Sequence, residues 1–250
     1  MKYKIIGVLL LILSIITGVV FWMKSGDRIM DYFEAKKLYD EVEEEYTDPP
    51  DIKPINEFDL DSEFAPITVD GEALLEQNPD YLGWIYIPKT EISYPVVKSK
   101  DNTDYLHTTF DKNYNYAGTI FMEALCEGDV LRQHSILYGH NMNDGSMFAG
   151  LRKFLDSEYA EERPVFWLIT PERDMLFRIF SICHTTPQDE DQYRVKYEDS
   201  EEFLGCMDAL SEKSILQTDI EIGEDDIIMT LSTCMPDRAT RCCINGVLVR

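Results

Sequence analysis

The sequence predicts a mainly β domain with added helices, and three observations predict it. Eight short runs rich in β-branched and aromatic residues recur between residues 83 and 249. Turn residues separate most of them. Stretches with helical spacing interrupt the series at two places. The runs are 83–87, 92–97, 118–122, 135–138, 165–170, 175–183, 226–231 and 242–249. Short strands in this number suggest an antiparallel barrel or a sandwich. The first interruption, 146–155, places Met147, Leu151, Phe154 and Leu155 on one helical face. The second, 200–211, opens on Ser200 as a cap and carries Phe203, Leu204, Met207 and Leu210. A short helix over 72–77 precedes the first strand and stops at the turn Asn78-Pro79-Asp80.

Ahead of this domain the chain has two other parts. Lys2 and Lys4 precede an apolar run over 5–23, closed by Lys24. At about 1.5 Å per residue this run approaches a hydrocarbon core of roughly 30 Å. A cleaved signal peptide would have a shorter run ending in small residues. Here Phe21, Trp22 and Met23 end it, which predicts an uncleaved single-pass membrane anchor. The basic residues lie before the run, and Asp27, Asp31 and Glu34 lie after it. That polarity predicts a cytoplasmic N-terminus and an extracellular 25–250. Residues 27–46 read as an acidic helix with Ile29, Phe33, Tyr39, Val42 and Tyr46 on one side, stopped by Pro49, Pro50 and Pro54. Residues 47–68 read as a Pro- and Asp-rich linker. The predicted division is therefore 1–24 cytoplasmic tip and anchor, 25–69 acidic helix and linker, and 70–250 the β-rich domain.

Composition excludes some functions. The 23 basic and 47 acidic residues give a formal charge of −24, which argues against nucleic-acid binding. With 44% hydrophobic residues the chain is not mainly disordered. The six cysteines show neither a compact disulfide framework nor zinc-ligand spacing, so no metal and no cofactor is expected. Cys242 and Cys243 are adjacent and point to opposite faces if they lie on a strand.

Without a cofactor motif, the chemistry falls to side chains. His140 ends the strand-like run 135–139, Cys234 ends 228–233, and Arg241 opens the final strand after a short turn. Strand ends beside loops commonly carry catalytic groups. Each residue also has a bland reading: a satisfied turn histidine, a packed thiol, a surface charge. His107, His134 and His184 lack comparable surroundings in the sequence. The order His before Cys, with no Q-A-C-x-G segment, differs from papain-like proteases and caspases. The G-x-S-x-G elbow of serine hydrolases is also missing.

Several ordered segments resemble class B sortases. Tyr138-Gly139-His140-Asn141-Met142 and Asp144-Gly145-Ser146-Met147-Phe148 resemble the family's histidine segment. Thr230-Leu231-Ser232-Thr233-Cys234 resembles its nucleophile segment. Gly83-Trp84-Ile85, Tyr94-Pro95-Val96-Val97, Lys100-Asp101-Asn102, Tyr105-Leu106 and Ala117-Gly118-Thr119-Ile120-Phe121-Met122 also match. The resemblance runs from about residue 78 to the end. It implies a closed eight-stranded barrel with N-terminal helices and a helix between strands six and seven. It also implies a cysteine transpeptidase whose catalytic set is His140, Cys234 and Arg241, with Arg238 as the alternative arginine. Asn102, Leu106, Tyr138, Tyr193 and Ser232 fall at substrate-pocket positions, whereas Arg194 stands where relatives have an apolar residue. Such an enzyme cuts a sorting motif after Thr and joins the acyl group to an amine of the cell wall or of a pilin subunit. Its expected partners are surface proteins or pilins bearing that motif, an amine of peptidoglycan or a pilin lysine, and the membrane. A catalytically silent surface binding module and a hydrolase on the same fold are the alternatives.

Overall fold

The computed structural model of the chain describes residues 2–48 and 64–249. Its centre is a closed barrel of eight strands. These are β1 (Tyr81–Tyr86), β2 (Ser93–Lys98), β3 (Ile120–Met122), β4 (His134–Tyr138), β5 (Val165–Ile169), β6 (Asp174–Thr185), β7 (Ile228–Cys234) and β8 (Arg241–Leu248). Around the barrel the order is β8-β6-β5-β1-β2-β3-β4-β7, and β7 closes on β8. All eight predicted strands are present, but the barrel is mixed where the turn spacing suggested antiparallel pairing throughout. β2 pairs parallel with β3, and β4 pairs parallel with β7. The reason lies in the connections. The long loop 99–119 returns the chain for a parallel β3, and β4 meets a strand far along the sequence, so no hairpin turn fixes either direction.

Closure removes both sheet edges and lets most strands bury two faces. Thus β5 is a continuous apolar run, Val-Phe-Trp-Leu-Ile, buried at every residue. The barrel core includes Trp84, Ile85, Val96, Ile136, Trp167, Phe177, Leu231 and Ile244.

The described residues include five α-helices: α1 (Lys2–Tyr46), α2 (Gly71–Gln77), α3 (Ser157–Glu161), α4 (Glu190–Tyr193) and α5 (Ser200–Glu212). The helix between strands six and seven is α5, whose first turn is capped by Asp199 accepting from the Glu202 amide at 2.9 Å. The cap falls one residue before the predicted Ser200. Phe203, Met207 and Leu210 pack onto Phe180, Ile228, Cys243 and Val247, forming a second core outside the barrel. Cys242 belongs to the first core and Cys243 to the second, as alternation along a strand requires. The predicted helix 146–155 is instead a 3-10 helix, Phe148–Leu155. Met147 precedes it at φ 56°, which delays its start, and Gly150 weakens any α-helical preference.

The predicted helix 27–46 is the second half of α1, and its docking face differs from the one expected. Ala35, Tyr39 and Val42 are buried, while Ile29 and Phe33 remain 52% and 67% exposed. At Asp31 the helix already meets the 99–119 loop, its carbonyl accepting from the Asn115 side chain at 2.9 Å. The linker predicted at 47–68 lies mostly outside the described residues. Its two ends pair as a short ladder, Thr47–Asp48 with Thr68–Val69.

The membrane anchor predicted at 5–23 is corrected. Among the described residues no helix is long and apolar enough to cross a membrane. The run continues without a break into the acidic half of α1. The cytoplasmic N-terminus and extracellular domain rested on that anchor and fall with it.

Candidate active site

β7 and β8 form a hairpin in which Cys234 and Arg241 are direct register partners. Their Cα atoms therefore lie about 5 Å apart. The turn between them is held tightly. The Met235 amide donates to the Thr240 carbonyl at 2.9 Å, and the Asp237 carboxylate accepts from the Ala239 and Thr240 amides and the Thr240 hydroxyl. Those donors hold the Asp237 carboxyl below the usual carboxylate range. Arg241 Nη1 donates to the Arg238 and Thr240 carbonyls at 3.1 and 3.0 Å. Arg241 faces the cleft described below; Arg238 is exposed in the turn at φ 59°.

On the other side of β7, β4 runs parallel, with Tyr138 in register with Ser232. The pairing extends past the strand end. Gly139 N–H donates to the Ser232 carbonyl at 3.2 Å, and the Thr233 hydroxyl donates to the Gly139 carbonyl at 2.8 Å. A side chain at 139 has no room, because a Cβ there would lie 2.5 Å from Ile120 Cδ1 and 2.6 Å from Phe148 Cγ. His140 is thereby delivered beside the end of β7. Its Nε2 donates to the Leu106 carbonyl at 2.7 Å. A carbonyl can only accept, so the hydrogen sits on Nε2 and Nδ1 is the nitrogen left for proton transfer. Burial pushes the His140 imidazolium below its ordinary pKa, against the opposing pull of that carbonyl.

His140, Cys234 and Arg241 line one cleft of about 400 Å³, together with Asn102, Leu106, Tyr138, Tyr193 and Ser232. The fold gathers all eight sequence-predicted site residues in that cleft. Cys234 is the least buried thiol; the other five are buried, and none of the six is paired. Burial raises the thiol pKa of Cys126, Cys183 and Cys206, pushes Cys243 up to about 12, and drives Cys242 higher still. Those five are held as inert thiols.

The cleft wall is built from hydrogen-bonded polar groups. Tyr193 and Ser232 hydroxyls lie 3.0 Å apart. Tyr138 donates to Glu123 at 3.0 Å, and the Asn102 amide donates to the other Glu123 oxygen at 2.6 Å. Burial raises both tyrosine pKa values, so both phenols stay neutral donors. Arg194 does not line the cleft; it pairs with Glu202 of α5.

Sequence reasoning missed several residues here. Phe121, Gly139, Pro187 and Thr233 complete the lining. Glu123, only 8% exposed, orients Asn102 and Tyr138. His107, which the sequence reading set aside, lies with its ring parallel to His140 at 5.5 Å. No local motif marks either residue, since both act across loops.

Comparison with known proteins agrees with this fold. The family model for the Sortase domain matches residues 85–249. Sortase B of Listeria monocytogenes is 35% identical over 181 residues, which is 70% of this chain and 72% of that protein. The crystal structure of sortase B from B. anthracis in complex with AAEK1 superposes with a TM-score of 0.74 at 31% identity, covering 89% of this chain and 99% of that one. The Staphylococcus aureus sortase B–substrate complex superposes with a TM-score of 0.67 at 30% identity, covering 71% and 83%.

Proposed function

This chain belongs to the sortase family of cysteine transpeptidases, in its class B branch, and from that premise we propose that Cys234, His140 and Arg241 carry out the transfer. The substrate is a protein with a C-terminal sorting motif, cut after Thr. The Cys234 thiol gives its proton to His140 Nδ1 as sulfur bonds to the Thr carbonyl carbon. Arg241 keeps donors free beyond its two backbone bonds and stabilises the oxyanion. The tetrahedral adduct collapses, the C–N bond breaks, and His140 returns the proton to the departing amine. A thioester remains on Cys234. An acceptor amine then attacks the thioester carbon and passes its proton through His140 to the leaving sulfur. The acceptor is an amine of the cell wall or of a pilin subunit, and the clients are surface proteins or pilins. Asn102, Leu106, Tyr138, Tyr193 and Ser232 bind the sorting motif. We assign residues 70–250 as the catalytic domain and 25–69 as its N-terminal cover.

One observation carries this reading: the cleft that holds the one thiol outside the buried set also holds an imidazole with an open nitrogen and a guanidinium. The test uses a Thr-Gly peptide library with product mass spectrometry. The parent chain should cleave after Thr, and added amine should divert the product from acid to amide. Cys234→Ala should abolish both products, and substantial cleavage by that variant would refute the assignment.

A further inference from the structure

Three rings meet at His140. His107 lies parallel to it, with centroids 5.5 Å apart and planes 7° apart. Tyr116 lies 5.6 Å from His140 at 16°, and 5.2 Å from His107 at 20°. The three rings form a triangle of nearly parallel, offset planes, the arrangement that ring quadrupoles favour. His107 and Tyr116 come from the segment that also supplies the Leu106 carbonyl. His140 is thus held at one edge by a hydrogen bond and beside it by two rings, all from 106–116.

Of the two flanking rings, only the imidazole can become a cation. A proton on either imidazole at this distance disfavours a proton on the other. The other titratable groups facing His140 are Cys234 and Arg241 across the cleft and the Tyr116 phenol. His107 itself faces Tyr116 and the 77% exposed Tyr114, and among the described residues it forms no ion pair with a carboxylate. A positive His107 acts on His140 in the same direction as burial does.

We propose that His107 is a positioning residue for His140, holding its ring in place and disfavouring a proton on it, so that Nδ1 stays open to accept. This rests on the reading of His140 as the acid–base group. It predicts that the ring and the charge of His107 have separable effects. His107→Phe keeps a flat ring and removes the charge. His107→Gln removes both and serves if the Phe variant fails to fold.

The test is a histidine titration by long-range proton–nitrogen NMR on the full chain, alongside pH profiles of kcat/KM. In His107→Phe the His140 midpoint should rise by about half a unit or more. The acid limb of the profile should rise with it, while kcat changes less than in His107→Gln. A His140 midpoint that stays put in both variants overturns the proposal, and so does a fall in kcat with an unmoved profile, which would mark a merely structural ring. The titration reads His140 whether or not the chain transfers peptide, so its result stands apart from the Cys234→Ala test.

Discussion

Arg241 shows how a side chain of unremarkable sequence context becomes specific. Its place opposite Cys234 comes from strand register, and its direction comes from Nη1 donating to two turn carbonyls. A fixed planar fork can present further donors to an oxyanion without reorganising. Arg241→Gln should therefore lower kcat/KM by about 10²–10³-fold. Arg241→Lys should recover only part of that, because an ammonium is a mobile point charge on a flexible stem. Steady-state cleavage of a sorting peptide measures both; a Lys variant equal to the parent would move oxyanion stabilisation elsewhere. At this scale the sequence disclosed what local runs can disclose. His140, Cys234 and Arg241 each sit at the end of a strand-like segment beside a turn. His107 and Glu123 were illegible because their significance lies in partners on other loops: the ring of His140 for one, the amide of Asn102 for the other.

Elements impose a second kind of constraint, clearest where β4 and β7 meet the 190–197 segment. His134 of β4 is fully buried between the Tyr197 hydroxyl at 2.8 Å and the Thr230 hydroxyl at 2.9 Å. Tyr197 donates on to the Arg194 carbonyl, and Thr230 lies 2.7 Å from Asn245 Oδ1, which also accepts from Gln192. Both hydroxyls spend their single hydrogens on those acceptors, so a neutral imidazole donates to only one of them, and among the described residues no carboxylate joins the chain. Burial therefore lowers the His134 pKa to about 4. The unfolded chain, near 6.5, binds more protons between those values, so stability rises with pH across that window. The contribution is complete above about pH 6.5 and is lost as pH falls toward about 4, amounting to about 3 kcal/mol. Urea unfolding at steps between pH 7 and 4 should show it, and His134→Gln should flatten that part of the curve. An equal slope in the variant would place the dependence on other groups. Element positions were readable from apolar runs and turns, as with 165–170 and 242–249. The parallel pairings and the 3-10 helix were not, since loop return and a positive φ at Met147 decide them.

Closure of the whole barrel is set by contacts that no window of sequence contains, and α1 supplies an example that bears on the site. Tyr39, 5% exposed, packs edge-on against Tyr94 at 5.6 Å and donates its hydroxyl hydrogen to the Gly118 carbonyl. Gly118 sits at φ 60°, where a Cβ would lie 2.5 Å from both the Tyr105 and Leu106 carbonyl oxygens. The Leu106 carbonyl in turn receives the His140 hydrogen bond. The sequence marked Tyr39 and Val42 on one side of this helix but put Ile29 and Phe33 there in place of Ala35; that its tyrosine braces the loop holding the acid–base histidine is legible only in three dimensions. Tyr39→Phe leaves a buried carbonyl short of its donor and should cost about 1–3 kcal/mol in urea unfolding. If α1 braces the site, the loss is local. Amide exchange at Thr119, which bonds the Tyr105 carbonyl at 3.1 Å, should quicken, and turnover should fall well below the midpoint of unfolding. Lost stability with Thr119 exchange and turnover both unchanged would reduce α1 to a cover over the barrel with no hold on His140.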